Sequence, residues 1–487
     1  MKKAKKILKP ILCAAALLLA VLLPFGIVAD IVFAVPPVYE ETFLGELAPK
    51  FERLCETDEP KLVLVGGSSV AFGFDSGLLS QYTGMEVVNF GLYATLGTKI
   101  MLDLSEANIN AGDLILLAPE MDEQTLSLYF NAEAAWQAIE SDFSMLRFIG
   151  SDNYGDLAGG IFGYVKSKLN YTLSGTKPRP TGIYCRDSFN EYGDLSAIRE
   201  KNIMTLGYDA NRPISLTPEL FDKDFLSYLN AYIARAEAKG ATVLFSFCPI
   251  NRDALAEGTT EESLSAFYRF VCENVKCPVI TGLDTAIMDA GYFYDTNFHL
   301  NDAGAIVHTA ALIDDLYRYQ GRTDVHSISL PAVPGSEEDP DTPVGPLPSE
   351  EDPWEKYFLY ETYGKARGIV GVTEEGKTLS ALELPKTSEG FPVRILVKNA
   401  LSGCDKLTDL TIRENITLLE DGCLAGAPQL VRIHMRRETC DELEAGPNLF
   451  EGSPSGLFVY LYSDTSYFNF TSGYWWSVHS SRLKRAN

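Results

Sequence analysis

The sequence predicts an α/β protein, with a parallel sheet covered by helices and a smaller repeat domain behind it. Three observations carry this prediction. Between residue 61 and about residue 320, short β-branched apolar runs alternate with stretches of helical period, the pattern of strands joined by crossover helices. From residue 327 to 353 the composition turns to Pro, Glu, Asp, Ser and Gly, with seven prolines between Pro331 and Pro353, as in an extended, solvated linker. Beyond it, NALSGCDKLTDLTI at 399–412 returns as GCLAGAPQLVRIHM at 422–435, a register of 23 residues. The chain of 487 residues is long enough for about three units at roughly 150 residues per domain.

Taken in order, the elements begin with Lys2, Lys3, Lys5, Lys6 and Lys9, followed by 19 uncharged residues at 11–29 and apolar character as far as Val35. About 20 apolar residues suffice to span a bilayer, and flanking lysines stay on the cytoplasmic side. Residues 1–36 are therefore predicted to be a single-pass anchor in the cell membrane, with the bulk of the chain extracellular. A cleaved signal peptide is the competing reading. Strands are predicted at 61–65, 86–89, 114–117, 242–247 and 278–280, with helices at 222–239 and 302–320. Residues 123–215 interrupt the alternation with aromatic-rich, turn-rich sequence, an insert expected over the carboxyl edge of the sheet. Its Tyr129, Phe130, Trp136, Phe162 and Tyr164 could stack on sugar rings or simply form a hydrophobic cover.

The sheet domain with its insert thus spans 37–326, the linker 327–353 and the repeat domain 354–487. Within the repeats Leu407 aligns with Leu430, Leu410 with Ile433 and Ile412 with Met435, and a weaker copy lies at 379–384. Each turn would bury its leucines against its neighbours and offer an extended face to a protein partner.

The balance of 41 Lys and Arg against 66 Asp and Glu, a net charge of −25, excludes a nucleic-acid partner, which needs a basic stripe. The nine cysteines show no repeated spacing, and only Cys272 and Cys277 are close enough in sequence for a local pair. No Cys/His cluster suggests a metal, and no cofactor is expected.

Chemistry is suggested first by VLVGGSSVAFGFD at 63–75, an apolar strand closing in two glycines and two serines. Such a turn puts Ser68 at the carboxyl end of a strand, the edge where open α/β sheets bind ligands. A serine hydroxyl needs a base. Of the five histidines, His326, His434 and His479 lie in the linker or the repeats and His308 inside the final helix. His299 alone sits in a loop, YFYDTNFHLNDAGA at 292–305, between the last predicted strand and a helix that Asn301 or Asp302 could cap.

These residues resemble the motif blocks of the SGNH/GDSL hydrolases, serine esterases and acyltransferases on a flavodoxin-like three-layer α/β fold. The Gly-x-Ser block is matched by Gly66-Gly67-Ser68, the Asn-x-Gly block by Asn89-Phe90-Gly91, and the closing acid and histidine by Asp295 and His299. The resemblance covers about residues 60–320. It implies Ser68 as nucleophile, His299 as base, Asp295 as the acid orienting it, and the amides of Ser68 and Gly91 as an oxyanion hole, with Asn89 and Asn297 as neighbours. Two departures stand out. Asp295 precedes His299 by four residues where three is usual, leaving Thr296 in the usual place, and Glu120 stands where the family presents an asparagine amide. Residues 370–477 resemble the BspA-type leucine-rich repeats of bacterial surface proteins. Together the resemblances imply an O-acyl esterase or O-acyltransferase on cell-surface carbohydrate, or a degenerate relative that binds glycan or proteins through the repeats.

Overall fold

Four short strands form the sheet of the first domain: β1 (Lys61–Gly66), β2 (Glu86–Gly91), β3 (Leu114–Leu117) and β4 (Thr242–Phe245), all parallel, in the order β2-β1-β3-β4. They belong to a computed structural model that describes residues 25–486 apart from 179, 181, 324–325, 335–351, 365, 441 and 473–475. Every residue of β1 and β3 is buried, because helices cover both faces and no strand residue needs to be polar for solvent.

Alternate strand residues divide between the two faces. Val63, Val65, Ile115, Leu117, Val243 and Phe245 face one way. There they share a core with α1 (Leu47–Glu56), α4 (Thr98–Ser105) and α7 (Lys223–Ala238), through Phe51, Ile100 and Phe225 among others. Leu62, Leu64, Leu114, Leu116 and Leu244 face the other way, toward Leu79 of α3 (Ser76–Thr83) and Leu312, Ile313 and Leu316 of α9 (Asp302–Tyr319). Short α2 (Ser68–Gly73) follows β1 directly, and α8 (Glu261–Asn274) completes the first face through Phe267 and Val271. The start of the sheet is fixed by a fully buried pair, Lys61 Nζ 2.9 Å from Asp113 Oδ2, whose other oxygen accepts the Lys61 amide.

The two predicted helices start where the sequence indicated. Asp222 accepts the amides of Asp224 and Phe225 ahead of α7, and Asn301 rather than Asp302 caps α9 by accepting the Gly304 amide. The expected strand at 278–280 reduces to a single bridge, Phe245 to Val279. Pro278 has no N–H to extend the ladder, so its carbonyl and the Ile280 amide pair with Phe245 and the pairing stops. Two further short strands, β5 (Ile250–Asn251) and β6 (Ile287–Met288), pair in parallel away from this sheet.

The insert between β3 and β4 contains α5 (Ala132–Ala138) and α6 (Tyr154–Ser174), and it receives the N-terminal segment. Residues 25–34 are helical. Ala29 and Val32 are buried in the domain core, Phe25 lies 4.2 Å from the Phe162 ring, and Phe33 packs on Trp136, Phe143 and Tyr164. The following strand of chain is clasped too: Glu140 accepts the amides of Val38 and Tyr39, and Lys168, paired with Glu140 at 2.7 Å, donates to the Val35 carbonyl.

Among the described residues no helix is long and apolar enough to cross a membrane. This corrects the single-pass anchor expected over 1–36, together with the cell-membrane localisation and the membrane partner inferred from it. Phe25, Val28, Ala29, Val32 and Phe33 pack into the domain core, while Ile27 and Ile31 stay more than half exposed, and a hydropathy run cannot distinguish a protein surface from lipid. Residues 1–24, which hold most of the expected span, lie outside the described residues. Of the two readings of the aromatic insert, most of its rings fit the hydrophobic cover. Trp136 and Tyr164 are buried and stacked on each other at 5.9 Å, Phe130 packs on the core, and Phe162 contacts Phe25 while staying half exposed.

The second domain opens with an antiparallel pair, β7 (Phe358–Tyr363) and β8 (Ala366–Val372). The chain then coils through β9 (Ala381–Glu383), β10 (Thr387–Ser388), β11 (Phe391–Leu396), β12 (Asp409–Arg413), β13 (Leu418–Leu419), β14 (Arg432–Arg436), β15 (Glu444–Ala445), β16 (Phe458–Leu461) and β17 (Leu483–Arg485). Two sheets result, ordered β15-β13-β11-β8-β7 and β17-β16-β14-β12-β9, parallel throughout except for the β7–β8 pair, with β10 folding back on β11. The repeat register is the pairing register: Leu410 lies beside Ile433 and Ile412 beside Met435. Leu401, Leu407, Leu424 and Leu430 fill the interior. Of the expected linker, residues 335–351 lie outside the described residues, while the part before it follows the first domain, where Tyr292 donates to the Pro331 carbonyl at 3.2 Å. The eight described cysteines form no disulfide, Cys272 and Cys277 included.

Candidate active site

Ser68 is the first residue of α2 and stands immediately beyond the carboxyl end of β1. The turn is possible because Gly66 has no side chain: a Cβ there would come within 2.5 Å of both the Ala118 carbonyl and Val70 Cγ2. His299 and Asp295 come from the other end of the domain. A bridge between Phe293 and Leu300, with the Tyr294 amide donating to the His299 carbonyl at 2.8 Å, folds residues 293–300 into a tight hairpin. The hairpin accommodates the four-residue spacing. Thr296, at the usual position of the acid, uses its hydroxyl to accept the His299 amide at 3.0 Å.

Three side chains that are 3–4% exposed therefore form one line. Ser68 Oγ lies 2.8 Å from His299 Nε2, and His299 Nδ1 lies 2.8 Å from Asp295 Oδ1. Asp295 accepting at Nδ1 keeps the proton on that nitrogen and leaves Nε2 free to accept one from Ser68. Two groups that the sequence did not indicate hold the pair. Tyr184, from the insert, donates to Asp295 Oδ2 at 2.5 Å and lies 3.2 Å from His299 Nδ1. Phe72 stacks flat on the imidazole, with centroids 3.9 Å and planes 11° apart. Phe72 was findable, since it follows Ser68 by one helical turn, whereas nothing in IYCRDS marks the tyrosine.

The remaining predicted residues have other partners. The Asn89 amide group donates to the Val70 carbonyl and to Asp194 Oδ1, and its oxygen accepts the Gly91 amide at 3.1 Å. Asn89 thus ties β2 to α2, and the Gly91 donor expected at an oxyanion hole is engaged with it. Asn297 accepts the Asp209 amide and donates to the carbonyls of Asp209 and Arg212, fastening that loop to the histidine hairpin. Glu120 does approach Ser68. One of its oxygens lies 3.0 Å from Ser68 Oγ and accepts the Ser69 amide at 2.8 Å. The Ser69 hydroxyl is buried without a hydrogen-bond partner.

Ser68, Glu120 and His299 open into a cavity of about 360 Å³. Tyr93, Asp122, Gln124, Tyr129 and Asn131 line it from the first domain, so Tyr129 is the one member of the predicted aromatic set that reaches it. Ala445, Gly446, Pro447 and Val478 line it from the second domain. The two domains are joined beside the cavity by three hydrogen bonds of 2.7 Å: Thr205 amide to Glu444 Oε1, Thr205 Oγ1 to Thr417 Oγ1, and Asp421 amide to Asn211 Oδ1. Burial pushes the Glu444 carboxyl up to about 8 and that of Asp209 to about 6. Among the described residues no group of His, Cys, Asp and Glu is arranged to hold a metal ion.

Comparison of the chain with protein-family models, curated proteins and solved structures gives no match in any of the three.

Proposed function

We propose that the chain is an SGNH/GDSL-type serine O-acyl esterase or O-acyltransferase acting on carbohydrate esters, with a leucine-rich repeat solenoid as its second domain. The observation that carries this reading is the line Ser68 Oγ, His299 Nε2, His299 Nδ1, Asp295 Oδ1, with both links at 2.8 Å. Ser68 Oγ attacks the ester carbonyl while its proton passes to His299 Nε2, and Asp295 stabilises the imidazolium that forms. Nε2 then returns the proton to the departing alkoxide, leaving the acyl group on Ser68. Water or an acceptor hydroxyl, deprotonated by the same nitrogen, removes the acyl group and regenerates the serine. Water as acceptor gives an esterase, and a sugar hydroxyl gives a transferase. The Ser68 amide is the donor best placed for the oxyanion, since the Gly91 amide would first have to leave Asn89.

A second reading, a catalytically silent relative that binds glycan or a protein through the repeats, is favoured by Glu120. An ionised carboxylate beside Ser68 Oγ can only accept hydrogen bonds and opposes a developing negative charge.

Turnover of 4-nitrophenyl acetate, followed together with labelling by a fluorophosphonate, tests between them. The wild-type chain should hydrolyse the ester and take the label. Ser68→Ala should lose both, by about 10³-fold or more for one member of a catalytic unit. Ser69→Ala removes a hydroxyl that bonds to nothing and should keep most of the activity. Equal labelling of wild type and Ser68→Ala would refute the assignment.

A further inference from the structure

The second domain could have been a separate module tethered by a linker, yet it stands at the mouth of the Ser68 cavity. Its contribution there is chemically distinct from that of the first domain. Asp122, Gln124 and Asn131 give the first-domain wall carboxylate and amide groups, whereas Ala445, Gly446, Pro447 and Val478 present carbon and no polar side chain. The approach is close and specific. A Cβ on Gly446 would fall 2.2 Å from Asp421 Oδ1 and 2.7 Å from Asn211 Cβ, so only glycine allows this edge of the repeat domain to sit against the first domain. The contact is also selective about charge. Glu444, 3% exposed, places one oxygen on the Thr205 amide and leaves the other without a hydrogen-bond partner, and its raised pKa makes the neutral acid the form that suits the junction.

We infer that the repeat domain is part of the substrate site: Ala445, Gly446, Pro447 and Val478 form the apolar wall of a subsite for the sugar that carries the ester. A pyranose ring has one face of C–H groups and a rim of hydroxyls. A site with a carbon wall from one domain and carboxylate and amide groups from the other matches both, and about 360 Å³ accommodates a ring beside the acyl group. This inference rests on Ser68 being the nucleophile of an esterase or transferase. It makes the second domain a specificity element, so small activated esters, which fill only the space next to Ser68, should depend on it least.

The test compares kcat/KM for glucose pentaacetate with that for 4-nitrophenyl acetate in the full chain. Val478→Asp changes a side chain that is 65% exposed and so carries little folding risk, while Gly446→Val forces the domains apart at the wall. Both should lower the ratio of sugar ester to small ester at least tenfold, chiefly through KM for the sugar ester. Leu359→Ser should leave the ratio unchanged, because β7 lies at the opposite edge of its sheet from β15. A ratio within twofold of wild type in both Val478→Asp and Gly446→Val would overturn the inference while leaving the esterase reading intact. Hydrolysis of 4-nitrophenyl acetate but not of glucose pentaacetate by the wild type would overturn the sugar subsite. Failure on both esters, without Ser68-dependent labelling, would overturn the esterase reading and this inference with it.

Discussion

Replacing Asp295 by Asn tests how much of the proposed chemistry depends on charge rather than on shape. The substitution keeps the size of the side chain and removes one negative charge from beside His299 Nδ1, now at 2.8 Å. When Ser68 gives up its proton, the imidazolium and the carboxylate attract each other. With charge centres roughly 4 Å apart and an effective dielectric of about 20, that attraction is worth about 4 kcal/mol. At about 1.4 kcal/mol per factor of ten, its loss slows the acylation step by roughly 10³. Tyr184 makes matters worse. Its hydroxyl donates to Asp295 Oδ2, so an asparagine would turn its oxygen toward Tyr184 and its NH2 toward the imidazole. Nδ1 would then be held as an acceptor, with the ring proton on Nε2, where it blocks acceptance of the Ser68 proton. Initial rates on 4-nitrophenyl acetate and the rate constant of fluorophosphonate labelling should both fall about 10³-fold, with KM nearly unchanged. A loss of less than tenfold would refute the argument and show that Thr296, Phe72 and Tyr184 orient the ring without the charge.

Three other outcomes follow from the same geometry. Tyr184→Phe removes one hydrogen bond to a carboxylate, about 1.5 kcal/mol, and should lower kcat about tenfold; an unchanged rate would mean that Asp295 is positioned by the hairpin alone. Glu120→Gln keeps an oxygen for the Ser69 amide and removes charge from beside Ser68, so kcat should rise, by about tenfold; a fall would show that the carboxylate takes part in the reaction. His308 is fully buried with Nδ1 on the Gly73 carbonyl, and burial lowers its pKa from 6.5 to about 4. Between those values the unfolded chain binds a proton that the folded chain does not. The contribution of His308 to stability is therefore complete above about pH 6.5 and falls as pH drops toward 4, by roughly 3 kcal/mol. The buried carboxyls of Glu444 and Asp209 act in the opposite sense, so the measurement is the difference in urea midpoint between wild type and His308→Gln, which retains a donor for Gly73; it should be larger at pH 7 than at 4.5.

Short motifs at strand ends were legible because their residue types are fixed by backbone geometry. Gly66-Gly67-Ser68 reads as a strand closing in a tight turn, and the sheet domain places it opposite the hairpin of Asp295 and His299. The repeat register was legible for the same reason, each aligned pair being one rung of a parallel ladder. What could not be read was set by surfaces meeting far from each other in sequence. Tyr184 reaches Asp295 from an irregular loop, and Gly446 meets Asn211 across a domain boundary; neither has a periodic neighbour to announce it. The N-terminal run failed differently. Phe25, Ala29 and Val32 are as apolar as a membrane span requires, and only the presence of Phe162, Trp136 and Tyr164 opposite decides where that surface goes. The partners of Asn89 were not legible either, since an asparagine in a motif gives no sign of whether its amide serves a substrate or the backbone of Gly91 and Val70.

Ser68 and His299, the proposed nucleophile and base, are 231 residues apart along the chain. At a synthesis rate of about 5–20 residues per second, Ser68 emerges from the ribosome roughly ten to fifty seconds before His299 does. Throughout that interval the serine is an ordinary alcohol, because a hydroxyl without its base does not attack esters at a useful rate. On the proposed mechanism, the distribution of the site over the first and last segments of the domain acts as a clock, withholding reactivity from every nascent chain until the whole sheet domain has been made.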